Sequence, residues 1–233
     1  MKVQVMIPCF VDQLFPQTAV HFIELLRKAG VEIYYPETQT CCGQPAYNAG
    51  YWDQAIPVMK KACHDFDQDL PIVCLSSSCT GFVRNYYPDA LGVSAQKISN
   101  QIYEFTEFLI DILHSIDFAA RFPHKVVYHN SCSALRECKM GDKWKTLLEQ
   151  VADIEILDFQ DSNQCCGFGG TFSVHFEPIS VAMAEKKVNF ALEAGAAYII
   201  SADLSCLMHM DAYIQNKSLP IQCIHIADVL VQS

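Results

Sequence analysis

Residues 38–50 read TQTCCGQPAYNAG, and residues 162–172 read SNQCCGFGGTF. Two vicinal cysteine pairs, each followed by glycine, suggest a chain written twice. The match continues outward from both pairs. Upstream, KVQVMIPC (2–9) alternates like a strand and ends at Cys9, and HKVVYHNSC (124–132) does the same and ends at Cys132. Downstream, PIVCLSSSC (71–79) delivers Cys79, and AAYIISADLSC (196–206) delivers Cys206. Cys9 and Cys132 lie 123 positions apart, Cys41 and Cys165 lie 124 apart, and Cys79 and Cys206 lie 127 apart. Cysteines at a nearly constant offset, each in the same strand–loop–helix setting, mark an internal duplication.

Between these strands the periodicity turns helical. Over residues 17–29, Ala19, Val20, Phe22, Ile23, Leu26 and Ala29 share a face, and Gly30 is the stop. VEIYY (31–35) reads as a strand. Residues 51–66 place Trp52, Ala55, Ile56, Met59, Ala62, Cys63 and Phe66 at helical spacing. After Cys79 comes a polar linking stretch and then a helix over QIYEFTEFLIDIL (101–113). The second half repeats the order with a helical segment around 133–151, the strand IEILD (154–158) and a helix over 177–194 stopped by Gly195. The tail IQCIHIADVLVQ (221–232) echoes residues 98–111. The expectation is an α/β protein, an internal duplication of two Rossmann-like halves with mostly parallel sheets and a pseudo-twofold relation, divided as 1–118 and 119–233. In such sheets the loops at the strands' carboxyl ends gather on one edge. Cys9, Cys41, Cys42 and Cys79 should therefore converge in one half, and Cys132, Cys165, Cys166 and Cys206 in the other.

Composition narrows what those thiols do. With 51% hydrophobic and 18% charged residues, the chain has the makings of a buried core. No apolar run approaches the roughly 20 residues that span a membrane, and the N-terminus lacks the apolar region of a signal peptide. The reading is cytoplasmic, with any membrane contact made through a partner. A net charge of −10 and no Lys/Arg cluster argue against nucleic acid. Twelve cysteines in a reducing compartment favour metal or redox chemistry over disulfides. No nucleophile elbow, phosphate loop or dinucleotide fingerprint is present.

One zinc ion would accept four cysteines, but structural zinc sites favour Cys-x-x-Cys hooks, which this chain lacks. Neighbouring side chains diverge, so a vicinal pair suits a larger object in which each sulfur reaches a different metal atom, as in an iron–sulfur cluster. Gly43 and Gly167 can take positive φ and let backbone approach. Gly169, Gly170, Ser77, Ser78 and Ser205 are candidate donors to sulfur. Cys63, Cys74, Cys138 and Cys223 read as small core residues. His209, three residues after Cys206, is a candidate nitrogen ligand against a packing role. His175 reads as structural, His129 and Asn130 as outer hydrogen-bonding groups, and Lys186 and Lys187 as a solvated face. Zinc binding and direct turnover of the vicinal dithiols as a disulfide reductase stay open as alternatives.

PCFVDQLFP, TCCGQPAYN, SSSCTGFV, NSCSALRE, CCGFGGTFSV and SCLMH together carry a resemblance over essentially the whole chain. The sequence resembles the cysteine-rich CCG-domain proteins, in particular the lactate-utilisation protein A/YkgE family of iron–sulfur proteins. That family is related to the iron–sulfur component of glycolate oxidase and to the cysteine-rich B component of heterodisulfide reductase. The resemblance implies an electron-transfer subunit in oxidation of L-lactate, glycolate or another 2-hydroxy acid, working with companion subunits and not catalytic alone. It implies one or two iron–sulfur clusters, 4Fe–4S in type, on the eight repeated cysteines; an isolated sample could carry zinc instead. One departure stands out. In the heterodisulfide reductase component each motif ends in Cys-x-x-Cys, whereas here Phe82 and His209 occupy the last position.

Overall fold

The computed structural model describes residues 1–232. Ser233, the end of the expected second repeat, lies outside the described residues. The first half runs β1 (Lys2–Met6), α1 (Cys9–Leu14), α2 (Pro16–Lys28), β2 (Glu32–Tyr34), α3 (Gln44–Asn48), α4 (Trp52–Asp65), β3 (Ile72–Cys74), α5 (Ser77–Leu91), α6 (Gln96–Gln101), β4 (Ile102–Glu104) and α7 (Phe105–Glu107), which continues as a π-type turn over Phe108–Ile112. The second half runs β5 (Lys125–Tyr128), a π-type turn over Ser133–Glu137, α8 (Lys143–Leu148), β6 (Glu155–Ile156), α9 (Phe172–His175), α10 (Glu177–Glu193), β7 (Tyr198–Ser201), α11 (Leu204–Lys217), β8 (Gln222–His225) and α12 (Ile226–Leu230).

The strands form two four-stranded sheets in matching order, β2-β1-β3-β4 and β6-β5-β7-β8. Every pairing within them is parallel. Helices cover both faces, so central strands are apolar on both sides; Val3, Val5, Ile72, Val73, Val126, Val127, Ile199 and Ile200 are all fully buried. The likeness extends to detail. Gly30 and Gly195 donate to Arg27 O and Leu192 O just past equivalent helices, at 2.9 Å each. Glu104 and His225 cap the helices after β4 and β8, each accepting from the N–H two residues on.

The halves share one core. A continuous cluster runs from Val3, Phe22 and Leu25 through Phe105 and Phe108 to Val126, Leu147, Ile199 and Ile226. Packing between halves is reciprocal, as a pseudo-twofold relation requires: α12 lies on α2, and α7 with its π-type turn lies on α8. Asp228 of α12 accepts from Thr18 Oγ1 and pairs with His21, both at 2.8 Å; Lys143 of α8 pairs with Asp111. At the centre, α5 meets the Ser133–Glu137 turn so closely that a Cβ on Gly81 would fall 2.6 Å from Glu137 Cβ.

Several sequence expectations are corrected. The polar linking stretch after Cys79 is largely α5, a 15-residue helix. The helix expected over 101–113 is split, because Ile102–Glu104 forms β4 against β3. Cys79 and Cys206 sit in the first turns of α5 and α11, beyond the strand ends. Val20 and Trp52, placed on apolar faces by periodicity, are exposed. Among the described residues no helix is long and apolar enough to cross a membrane.

Candidate metal centre

Each thiol comes from the carboxyl edge of a sheet. Cys9 opens α1 just past β1, Cys41–Cys42 follow β2, and Cys79 is the third residue of α5 past β3. Cys132 precedes the turn after β5, Cys165–Cys166 follow β6, and Cys206 is the third residue of α11 past β7. All eight line one cavity of about 480 Å³ between the halves. Within each half they touch in the same sequence. Cys9 meets Cys41, Cys41 meets Cys42, and Cys42 Sγ lies 3.5 Å from Cys79 Sγ. Cys132 meets Cys165, Cys165 meets Cys166, and Cys166 meets Cys206. Cys9 is exposed, whereas Cys42, Cys79, Cys166 and Cys206 are buried.

The electrostatics repeat as well. Hydrogen bonds from Cys42 and then Cys9 hold Cys41 well below the usual thiol range, against the opposing effect of burial. Those from Cys132 and then Cys166 do the same for Cys165. Backbone N–H groups add to this, Gly43 to Cys41 Sγ and Gly167 to Cys165 Sγ, each at 3.4 Å. The neighbours move the other way. Cys9 and Cys132 are raised by sharing their protons with Cys41 and Cys165, and then by burial. Within each half the proton sharing therefore favours ionisation at Cys41 and Cys165 over their neighbours. Further ionisation needs positive charge among the sulfurs, which soft, thiolate-bound metal supplies. By donor chemistry, number and shared cavity, the residues fit an iron–sulfur cluster.

Gly43 and Gly167 take the conformation anticipated for them. Gly43 and Gly167 have φ of +90° and +98°, which turns their N–H groups back onto the preceding sulfurs. Phe168 N–H lies 3.5 Å from Cys166 Sγ. Ser205 does reach the Cys206 thiol, and the serines also serve a second end. Ser77 Oγ donates to Asp203 Oδ2 at 2.8 Å, and Ser205 Oγ donates to Asp203 Oδ1 at 2.6 Å. Ser78 N–H also reaches Oδ2 at 3.1 Å, and Ser77 Oγ lies 2.9 Å from Ser131 Oγ. Asp203, 1% exposed, thus ties the start of α5 to the start of α11 and fixes Cys79 relative to Cys206. Asp203→Asn removes one accepting oxygen while leaving its buried donors in place, so unfolding in urea should show a loss of about 1–3 kcal/mol.

Phe82 and His209, which occupy the place of a fifth thiol, both turn away from the sulfurs. Phe82 is buried among Tyr47, Tyr86 and Tyr87. His209 Nε2 sits 3.0 Å from Ser180 Oγ and 3.2 Å from Ser180 O, and the residue is not among those lining the cavity. The imidazole that folding brings to the thiols is instead His129, which is also outside the cavity lining but is grouped with Cys166 and Cys206. Burial first, and then the charge of Lys187, lower its pKa to about 3, so the ring is neutral. Lys187 itself is no solvated residue. It is 2% exposed, donates to Asp161 O, and is pulled down to about 8 by burial. Its position was readable, since Ser180, Ala184, Lys187, Val188 and Ala191 form the buried stripe of α10. Cys74 ends β3 fully buried beside Cys79, and Cys138 donates to Ser77 O at 3.3 Å across the halves.

Twin parallel sheets presenting eight thiols to one cavity define a duplicated cysteine-rich α/β protein. The cysteine-rich domain family named CCG matches residues 3–84 and again 126–211. Lactate utilization protein A of Bacillus pumilus (strain SAFR-032) is 38% identical over 236 residues, covering 99% of both chains. Lactate utilization protein A 2 of Bacillus cereus (strain 03BB102) is 35% identical over 238 residues, covering 100% of this chain and 98% of the relative. The chain belongs to the CCG cysteine-rich family and, within it, to the lactate utilization protein A family. Its fold is similar to that of a hypothetical protein from Helicobacter pylori, with a TM-score of 0.62 at 10% identity over 99% of this chain and 48% of that one. This chain spans about half the length of that protein, and the likeness concerns fold alone.

Proposed function

We propose that this protein is an electron-carrying component of a system that oxidises L-lactate or a related 2-hydroxy acid. In this reading Cys9, Cys41, Cys42 and Cys79, and Cys132, Cys165, Cys166 and Cys206, hold one or two iron–sulfur clusters, with residues 1–118 and 119–233 as the two repeats. The observation that carries it is the convergence of all eight thiols on one cavity from six separate segments at the sheet edges. A bound 4Fe–4S cluster supplies reversible one-electron chemistry at a potential set by charge, hydrogen bonds and exposure. The protein's own groups supply the rest. Cys41 and Cys165 present thiolates, Gly43 and Gly167 N–H groups stabilise them, and Asp203 holds the halves in register.

The lactate assignment comes from the relatives' names. Removing two electrons and two protons from a 2-hydroxy acid needs a base and a hydride or electron acceptor, so that step falls to companion subunits. Cys9 is exposed, and Val174, at the cavity, and Phe176 and Ile179, just beyond it, are exposed apolar side chains suited to a partner's contact. Anaerobically reconstituted protein should be brown, bleach on dithionite addition and recover colour with a one-electron acceptor. A colourless zinc protein, or two-electron titration of a vicinal disulfide without metal, would contradict the proposal.

A further inference from the structure

His129 is the first residue beyond β5, three before Cys132, and is fully buried. Among the described residues neither Nδ1 nor Nε2 makes a well-formed hydrogen bond, although the backbone of Ser162 lies near the ring. A buried polar group left unpaired costs roughly 1–3 kcal/mol, so an imidazole is expensive here unless something binds it. A ring nitrogen and the Sγ atoms of Cys166 and Cys206 all lie within 4.8 Å of one another. The repeat places Met6 at the matching position of the first half, three residues before Cys9. A thioether there needs no partner; an imidazole does.

We propose that His129 is a nitrogen ligand of the metal centre in the second half, beside Cys166 and Cys206, so that the two halves hold chemically different centres. The inference rests on the reading of the eight thiols as metal ligands. The first half then offers four thiols and the second an imidazole besides its four, so the two centres differ in ligand set and hence in potential.

Protein labelled with 15N-histidine, reconstituted anaerobically and reduced, should show a histidine nitrogen coupled to the paramagnetic centre by ENDOR. The coupling should persist in His209→Gln and vanish in His129→Met, which copies the first half. Full iron and sulfide in both halves without any histidine coupling in the unsubstituted protein overturns the ligand assignment and leaves the cluster reading intact. Absence of iron and sulfide overturns the cluster reading instead, and Co²⁺ titration then decides the ligand. Nitrogen ligation predicts that His129→Met weakens Co²⁺ binding about tenfold or more and shifts its visible bands; unchanged binding and bands overturn it.

Discussion

Cys166→Ser, reconstituted anaerobically, should lose about half of the iron and sulfide that the unsubstituted protein binds, because clusters are commonly held by four thiolates each. Cys166 is the middle of the second-half group, touching both Cys165 and Cys206, and is only 2% exposed. A serine hydroxyl there is a harder, more weakly acidic donor in a buried site, so it replaces the thiolate poorly. Cys42→Ser should do the same in the first half, where Cys42 lies between Cys41 and Cys79. The two halves share a cavity but no thiol, so each loss should be independent of the other. Unchanged metal in Cys166→Ser would remove that residue from the ligand set. Complete loss in either variant would mean a single centre shared across the cavity.

Gly167→Ala should be the most damaging single-methyl change near the site. Alanine at φ +98° carries strain of about 1–2 kcal/mol. Its Cβ would also sit 2.5 Å from Ser180 O and 2.9 Å from Met183 Cβ, and overpacking of that kind costs about 1–3 kcal/mol more. Both obstacles belong to α10, so the loop must move, and Cys165 and Cys166 move with it. Gly43→Ala has similar backbone strain, but the nearest atom is Met59 Cγ at 3.2 Å, a flexible side chain. Thermal unfolding should therefore rank Gly167→Ala well below Gly43→Ala, with weaker metal loading in the second half only. Equal melting temperatures would show that the contact with α10 is not what constrains the loop.

The sequence carried the architecture because the duplication is written in residues that cannot drift freely. The CCG pairs, the strand-end cysteines and the stops at Gly30 and Gly195 all recur, and parallel order follows from alternating strands and helices. What it hid was set by contacts between distant elements. The stretch that becomes α5 begins among serines and contains Gly81 and Pro88. Its local preference for helix is weak, and packing on the Ser133–Glu137 turn and α6 decides the matter. Strand β4 is three residues long and merges in sequence with the helical periodicity that follows, so only pairing with β3 reveals it.

The candidate site was legible in its sulfur and illegible in its polar support. Spacing alone named the eight cysteines and the two glycines. Asp203 gave no signal, because its partners Ser77 and Ser78 lie about half the chain away. His209 drew attention by sitting one helical turn from Cys206, yet Ser180 of α10 claims its ring. His129 was noticed as a strand-end neighbour of Cys132, and only the fold shows its ring buried beside two sulfurs without a well-formed hydrogen bond.

The most direct test of this account is chemical analysis of iron and acid-labile sulfide, with EPR, on protein reconstituted without oxygen. The account predicts iron and sulfide in equal amounts, about four of each per loaded half, and a reduced-cluster signal. Protein that binds zinc alone, or neither iron nor sulfide with all eight thiols titrating freely, would contradict it.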